Sequence, residues 1–166
     1  MKKGIILSFA TVAFLALQAF TPPVSGKLTS KKTHMSFYSH TDVEDIRANN
    51  YKAVGTLETS TGEVVFSVPM QSFEFEKALM QKHFNSAKFL DTKKYPKAKF
   101  VGKITNLSEV DFDKDGTYNA TIKGDMEMHG EKKNITEKGT ITVKGTSVEM
   151  KSKFNLTLAD YKIALS

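Results

Sequence analysis

The chain has 166 residues, 24 of them Lys or Arg and 18 Asp or Glu, for a formal charge of +6, with 40% hydrophobic and 25% charged residues, an ordinary balance for one globular domain. It contains no cysteine, which excludes thiol nucleophiles, thiolate metal centres, disulfide scaffolds and lipid attachment at cysteine. It also has no tryptophan and a single arginine, Arg47, so it lacks the arginine forks and stacking platforms of nucleic-acid readers, and no nucleic-acid partner is expected.

Met1-Lys2-Lys3 precedes an uncharged apolar run from Gly4 to Phe20, which Thr21-Pro22-Pro23 ends. That is the layout of a secretory signal peptide, with Leu17-Gln18-Ala19 as the cleavage site. Residues 1–19 are expected to be removed. Residues 20–166 would form the working domain in the periplasm. No later run is apolar enough to span a bilayer, so no stable membrane insertion is expected after cleavage.

Val24 to Ser30 reads as a small polar linker or a first edge strand. From there apolar residues recur with period two, the mark of half-buried strands. Met35, Phe37 and Ser39 share a face, as do Val64, Phe66, Val68 and Met70. Ala98, Phe100, Gly102 and Ile104 lie opposite Lys97, Lys99 and Lys103. The longest run carries Tyr118, Ala120, Ile122, Gly124, Met126 and Met128 on one face. Ile135, Gly139, Ile141 and Val143 follow, then Val148, Met150, Phe154, Leu156 and Leu158. Turn signals separate the runs at Ser60-Thr61-Gly62, Asp113-Lys114-Asp115-Gly116, His129-Gly130 and Lys144-Gly145. Short turns between successive strands imply an antiparallel sheet with one wet and one dry face.

One segment breaks the alternation. Ser72 is placed to cap a helix, with Glu74 and Glu76 in its first turn and Lys82 and His83 in its last. Phe75, Leu79 and His83 would form one stripe, flanked by Ala78, Met80 and Phe84, over about three turns ended by Asn85-Ser86. A further single helical turn fits Val43 to Asn49.

Seven or eight antiparallel strands hide an apolar face in a sandwich or in a sheet closed on itself. The run from Thr117 to Met128, at about 3.3 Å per residue, suits a tall, tilted barrel. Gly102, Ala120, Gly124 and Gly139 are small inward residues among large ones. They fit either a tapered filled core or room for a ligand.

The polar residues nominate no chemistry. Asp111, Asp113, Asp115 and Gly116 copy the opening of a calcium loop, but Ile122 stands where a bidentate Glu is required. His34 and His40 lie six residues, or about 20 Å, apart on one strand and cannot share an ion. No Gly-x-Ser-x-Gly, His-Glu-x-x-His or phosphate-loop motif occurs. Asp160 and Tyr161 are placed to hydrogen-bond inside the barrel, with no mark of catalysis. No cofactor, no metal and no enzymatic activity are expected.

The stretch His83-Phe84-Asn85-Ser86-Ala87-Lys88-Phe89-Leu90-Asp91, continuing to Tyr95-Pro96 and Phe100, resembles the signature block of the YceI-like family. Gly124-Asp125-Met126-Glu127-Met128-His129-Gly130 resembles its second motif, and Phe37 to His40 and Leu158 to Ile163 resemble early and late strands. The resemblance covers nearly all of the chain beyond the signal. It implies an extended eight-stranded antiparallel β-barrel, lipocalin-like, with one short helix at one end, carrying a polyisoprenoid or another long amphiphile. Leu90 departs from an aromatic and Phe84 from a leucine, both staying apolar. The family pattern also continues through one more apolar strand after Ile163, so the barrel is expected to be incompletely closed or the chain cut short. An open edge would leave the protein a monomer or a dimer joined through that edge.

The expected ligand is a long-chain isoprenoid or fatty-acid-like lipid. Its lining is expected from Phe37, Phe66, Val68, Phe100, Ile104, Tyr118, Ile122, Met126, Ile141, Phe154 and Leu156. Phe73, Phe75, Leu79, Phe84 and Phe89 would cover one end. Binding by partition is worth about 0.8 kcal/mol per buried methylene. Two other readings are a secreted interaction module with a packed core and a secreted enzyme acting on a lipid-like substrate, for which the sequence offers no catalytic residue.

Overall fold

The computed structural model describes residues 24–30, 32–40 and 45–163; the expected signal peptide lies outside them. Seven strands form one antiparallel sheet: β1 (Lys27–Thr29), β4 (Val54–Glu58), β5 (Glu63–Pro69), β7 (Lys97–Ile104), β8 (Gly116–Met128), β9 (Glu131–Lys144) and β10 (Ser147–Ser152), in the order β1-β4-β5-β7-β8-β9-β10. Three more, β2 (Met35–His40), β3 (Asp45–Asn50) and β6 (Glu74–Phe75), form a second sheet in the order β2-β3-β6. One helix, α1 (Ala78–Asn85), precedes β7. The large sheet curls into a half-barrel, so the expected mainly β, lipocalin-like class holds while the strands divide seven and three.

The close approach of β7 and β8 has a cause in sequence. Gly102 and Gly124 are direct partners across β7 and β8. A Cβ on Gly124 would lie 2.3 Å from both the Gly102 Cα and the Val101 carbonyl oxygen. Only glycines allow two backbones so close. The longest hairpin, β8–β9, turns through His129 (φ 53°) and Gly130 (φ 80°), the left-handed pair of a two-residue turn whose twist matches its strands.

Alternation sets the faces as expected. Lys97, Lys99, Lys103 and Lys123 are exposed, while Ala98 and Ile104 are buried and Phe100 is half-buried. A slip of one residue would bury the lysines, so charge fixes the register. Val24 to Ser30 holds the edge strand β1, tied down by the Gly26 N–H to the Thr59 hydroxyl at 2.9 Å.

Four expectations fail. The helix has eight residues and begins after Lys77, with no side-chain cap. Glu74 and Phe75 are instead the strand β6, pairing with Asn49 and Ala48. Leu79 stands 77% exposed, and the helix buries Phe84. The segment expected to turn helically near Val43 to Asn49 holds the strand β3 from Asp45, with Ala48 and Asn50 buried. At the other end, β10 stops at Ser152, and no strand carries Phe154, Leu156 or Leu158. Residues 153–157 run without regular structure into a 3-10 turn at Leu158–Tyr161. That turn packs under the β8–β9 hairpin: His129 Nδ1 lies 3.0 Å from the Tyr161 carbonyl oxygen, and Lys162 Nζ pairs with Glu131 Oε1 at 2.7 Å. Among the described residues, β10 and β1 each have only one neighbouring strand. The half-barrel is open between them.

An open apolar trough with an aromatic end

The concave face carries two apolar clusters. At the helical end Phe73, Phe84, Leu90, Met70, Met128, Tyr161 and Ile163 are buried together with Ala48, Ala53, Val68 and Ala98, and Phe37, Phe75, Phe89, Met126, Leu156 and Leu158 pack against them. At the far end Leu57, Val64, Ile104, Val110, Ala120, Ile141 and Val143 form a second cluster, joined by Phe66, Phe100, Tyr118 and Ile122. All but two of the sequence-predicted lining residues fall in these clusters. Leu79 points to solvent, because its side of the short helix faces away from Phe84. Phe154 is 39% exposed, because the chain leaves the sheet before reaching it.

The two ends differ in character. At the helical end the rings interlock: Phe37 stacks on Phe84 at 5.6 Å between centroids, and Phe75 lies 4.9 Å from Phe84. Phe73 meets both Phe37 and Phe84 at 5.5 Å. Such a nest excludes water and fixes geometry. Toward the middle of β5, β7, β8 and β10 the inward residues Phe66, Phe100, Ile122, Met126 and Met150 are only half-buried. Inward side chains that still meet solvent define a trough. Phe66 lies over Gly55 on the neighbouring strand, and Phe100 over Gly102 on its own, so part of the space left by glycine is filled by rings.

The signature block serves the end wall. Thr92 is fully buried, and its hydroxyl donates to Asn85 Oδ1 at 2.7 Å. Asn85 Nδ2 donates to the Gln81 carbonyl at 2.9 Å, and Gln71 Nε2 to the Thr92 carbonyl at 3.2 Å. Asp91, at φ 41°, turns the chain back toward β7, and the Pro96 carbonyl accepts the Met70 N–H at 2.9 Å. These bonds hold the aromatic nest in place.

Sequence reasoning missed the contribution of the β7–β8 connection, where Leu107, Val110 and Phe112 cover the far cluster. Three apolar residues inside an otherwise polar loop were the available signal. It also left out Leu28 and Val148, which pack on the same far cluster.

Polar groups near the trough are few. Tyr118 donates to the Lys114 carbonyl at 2.8 Å, and desolvation, followed by Asp111 and Asp115, raises its phenol above the ordinary value. His83 stacks on Phe89 at 5.5 Å and stays exposed. Asp111 and Asp115 bond the N–H groups of Asp113 and Gly145. Among the described residues no three His, Asp or Glu side chains gather to hold a metal. A shallow hollow lined by Lys99, Val101, Asp125, Glu127 and Lys132 lies on the opposite, convex face, away from the apolar surface.

A curled antiparallel sheet, apolar on its concave face and walled by rings at one end, defines a lipocalin-like β-barrel scaffold. The chain belongs to the YceI-like family, whose domain model matches residues 26–166. A UPF0312 protein of Pseudomonas putida strain GB-1 is 42% identical over 64 residues, and one of strain F1 is 44% identical over 64 residues. Each match covers 39% of this chain and 30% of the relative, so the aligned part spans less than a third of those proteins. Among solved structures, a polyisoprenoid binding domain from Saccharophagus degradans implicated in plant cell wall breakdown superposes with a TM-score of 0.67 at 10% identity, covering 86% of this chain and 82% of that one. The Campylobacter jejuni YceI protein gives a TM-score of 0.53 at 14% identity, covering 98% and 85%. Burkholderia cenocepacia BcnA gives 0.51 at 13% identity, covering 81% and 71%.

Proposed function

We propose that this is an exported binding protein that holds a polyisoprenoid or another long-chain amphiphile along the concave face of its half-barrel. The observation that carries the reading is the row of inward but half-buried Phe66, Phe100, Ile122 and Met126 between two buried clusters. Such a surface loses free energy when a hydrocarbon chain replaces water, at about 25 cal/mol per Å². The methionines adapt to a flexible chain. The polyisoprenoid binding described for the Saccharophagus degradans domain supports the same ligand class.

The mechanism is partition. Trough length sets which chains fit, and the ordered nest of Phe37, Phe73, Phe75 and Phe84 gives the chain a fixed end wall. Rings, branched chains and thioethers line the trough, and among the described residues no nucleophile–base pair stands over it, so we read it as a carrier or store and not an enzyme. The charged start and apolar run of residues 1–20 support export to the periplasm.

Native mass spectrometry of the gently purified full chain, followed by solvent extraction, tests the binding. A bound lipid released into the organic phase is expected; an apo mass alone, with no uptake of added polyisoprenoid, refutes it. Cell fractionation with and without residues 1–19 tests export.

A further inference from the structure

The half-barrel leaves one strand of six residues with a bare edge. Among the described residues β10 pairs only with β9, while β1 at the opposite edge is three residues long. Lys144 and Ser147 close the β9–β10 hairpin across Gly145-Thr146, so they form a hydrogen-bonded pair, and such pairs recur at Glu149 and Lys151. The backbone groups of Val148, Met150 and Ser152 therefore point away from β9. Among the described residues they meet no backbone partner on that side. Edge strands of this kind are usually guarded by lysine. Here Lys151 Nζ is paired at 3.0 Å with Glu149 Oε2 on the same strand, both side chains well exposed, so the guard is neutralised.

We propose that β10 docks antiparallel on β10 of a second copy of this chain, about a two-fold axis at Met150, joining two half-barrels into one continuous sheet. A two-fold interface is self-complementary, residue i meeting j and j meeting i. With Met150 opposite Met150, Val148 lies opposite Ser152, and these residues exchange the backbone bonds that their edge offers. Glu149 then falls opposite Lys151 of the second copy, and Lys151 opposite its Glu149. These are the non-hydrogen-bonded positions of the new pairing, with Cα atoms about 4.5 Å apart, where opposite charges stabilise and like charges repel. A slip of two residues keeps the backbone phase but sets Glu149 on Glu149 or Lys151 on Lys151. The charges thus specify one register.

The apolar side of the strand agrees. Val148 and Met150 are half-buried and pack on the far cluster, and Phe154, two residues past β10, is 39% exposed. Pairing would set Met150 against its copy and carry the apolar face across the seam. A second copy is favoured over a foreign strand because the charge order of this edge complements itself. The inference stands apart from the lipid reading, since it concerns the edge of the sheet and not the trough.

Sedimentation velocity of the chain as recovered from cells, over about 1 µM to 1 mM where weak specific complexes form, should show monomer passing to dimer. Glu149→Lys and Lys151→Glu should each weaken the dimer about tenfold, since two attracting pairs become two repelling ones. The Tm of the monomer should not change, because both side chains are exposed. An equimolar mixture of the two variants should recover the dimer, as should the double variant Glu149→Lys/Lys151→Glu. The chain has no cysteine of its own, so Met150→Cys should give a disulfide-linked dimer under mild oxidation, while Thr29→Cys on the β1 edge should not. A monomer at every concentration, charge variants that dimerise as well as the wild type, no recovery on mixing, or linkage through Thr29→Cys in place of Met150→Cys overturns the proposal. Lipid uptake is read separately: a dimer that takes up no lipid sinks the carrier reading and leaves this one standing.

Discussion

Replacing Gly55 by alanine tests how the trough is shaped. Gly55 on β4 faces Phe66 on β5, and a Cβ there would lie 2.4, 2.8 and 3.2 Å from Cε1, Cδ1 and Cζ of the Phe66 ring. Carbon atoms rest at about 3.5–4.0 Å, so the ring must retreat by about 1 Å, and the trough is the open direction. Overpacking of this kind costs about 1–3 kcal/mol, a fall in Tm of roughly 3–10 °C for a domain of this size. The displaced ring should also narrow the trough and shift binding toward thinner or shorter chains. Phe66→Leu in the Gly55→Ala background removes the obstruction, so a double-mutant cycle should give a coupling of about 1 kcal/mol or more. Gly124→Ala provides the contrast, since its Cβ would meet the backbone of Gly102 and Val101 and no side-chain change relieves it. Melting curves of the four variants of the cycle, with chain-length competition on each, read all of this. An unchanged Tm in Gly55→Ala, strict additivity with Phe66→Leu, or relief of Gly124→Ala by Phe66→Leu would refute the reasoning.

Phe84→Ala should cost about 3–5 kcal/mol, because the ring is 5% exposed within the aromatic nest; Leu79→Ala on the same helix should stay within about 0.5 kcal/mol, and denaturant titration of both checks the pair. Phe100→Ala should cost less than Phe84→Ala, since its ring is half-buried, while changing the preferred chain length in lipid competition. Lys162 holds the Glu131 carboxyl below its ordinary value of 4.5. A depressed acid contributes stability above its unfolded pKa and loses it as pH falls through the folded value, so the wild type should lose Tm between about pH 5 and pH 3 more steeply than Glu131→Gln, and parallel slopes in a pH series of melts would contradict this.

How far the sequence could be read depended on what each pattern reports. In β8 polar and apolar residues alternate without a break, and both parity and length came through. The segment Phe73-Glu74-Phe75-Glu76 also alternates, with Phe73 buried and Phe75 half-buried. The capping residues before Leu79 masked that period and produced a helix begun too early. In β3 the buried inward residue at its end is Asn50, whose amide donates to the Pro69 carbonyl at 2.9 Å and whose oxygen accepts the Lys52 N–H at 2.9 Å. A buried amide satisfied by backbone looks polar in sequence and hid the strand. Phe154, Leu156 and Leu158 show that alternation reports facing and not pairing: Leu156 and Leu158 pack on the helical-end cluster, yet no strand there takes them up. For the site, most residues of the expected lining fall in the two apolar clusters because they share the parity of the core. The burial of Tyr161 Oη and Ser86 Oγ without a hydrogen-bond partner among the described residues was not legible, since sequence cannot show which buried polar group lacks one.

The β8–β9 hairpin joins its strands by a two-residue turn and pairs Gly116 with Val143 through to Met128 with Glu131. It sends Met126 and Met128 to one cluster and Ala120, Ile122 and Ile141 to the other. These contacts are close in sequence, so closing their loop costs little entropy, and the hairpin can assemble before the distant partners arrive. Whatever forms on it then carries the seed of both clusters at once. The clasp between His129 and Tyr161, 32 residues apart, must wait for the rest of the sheet. Folding should thus run outward from the turn at Gly130, and the segment bearing Tyr161 should settle last and open first.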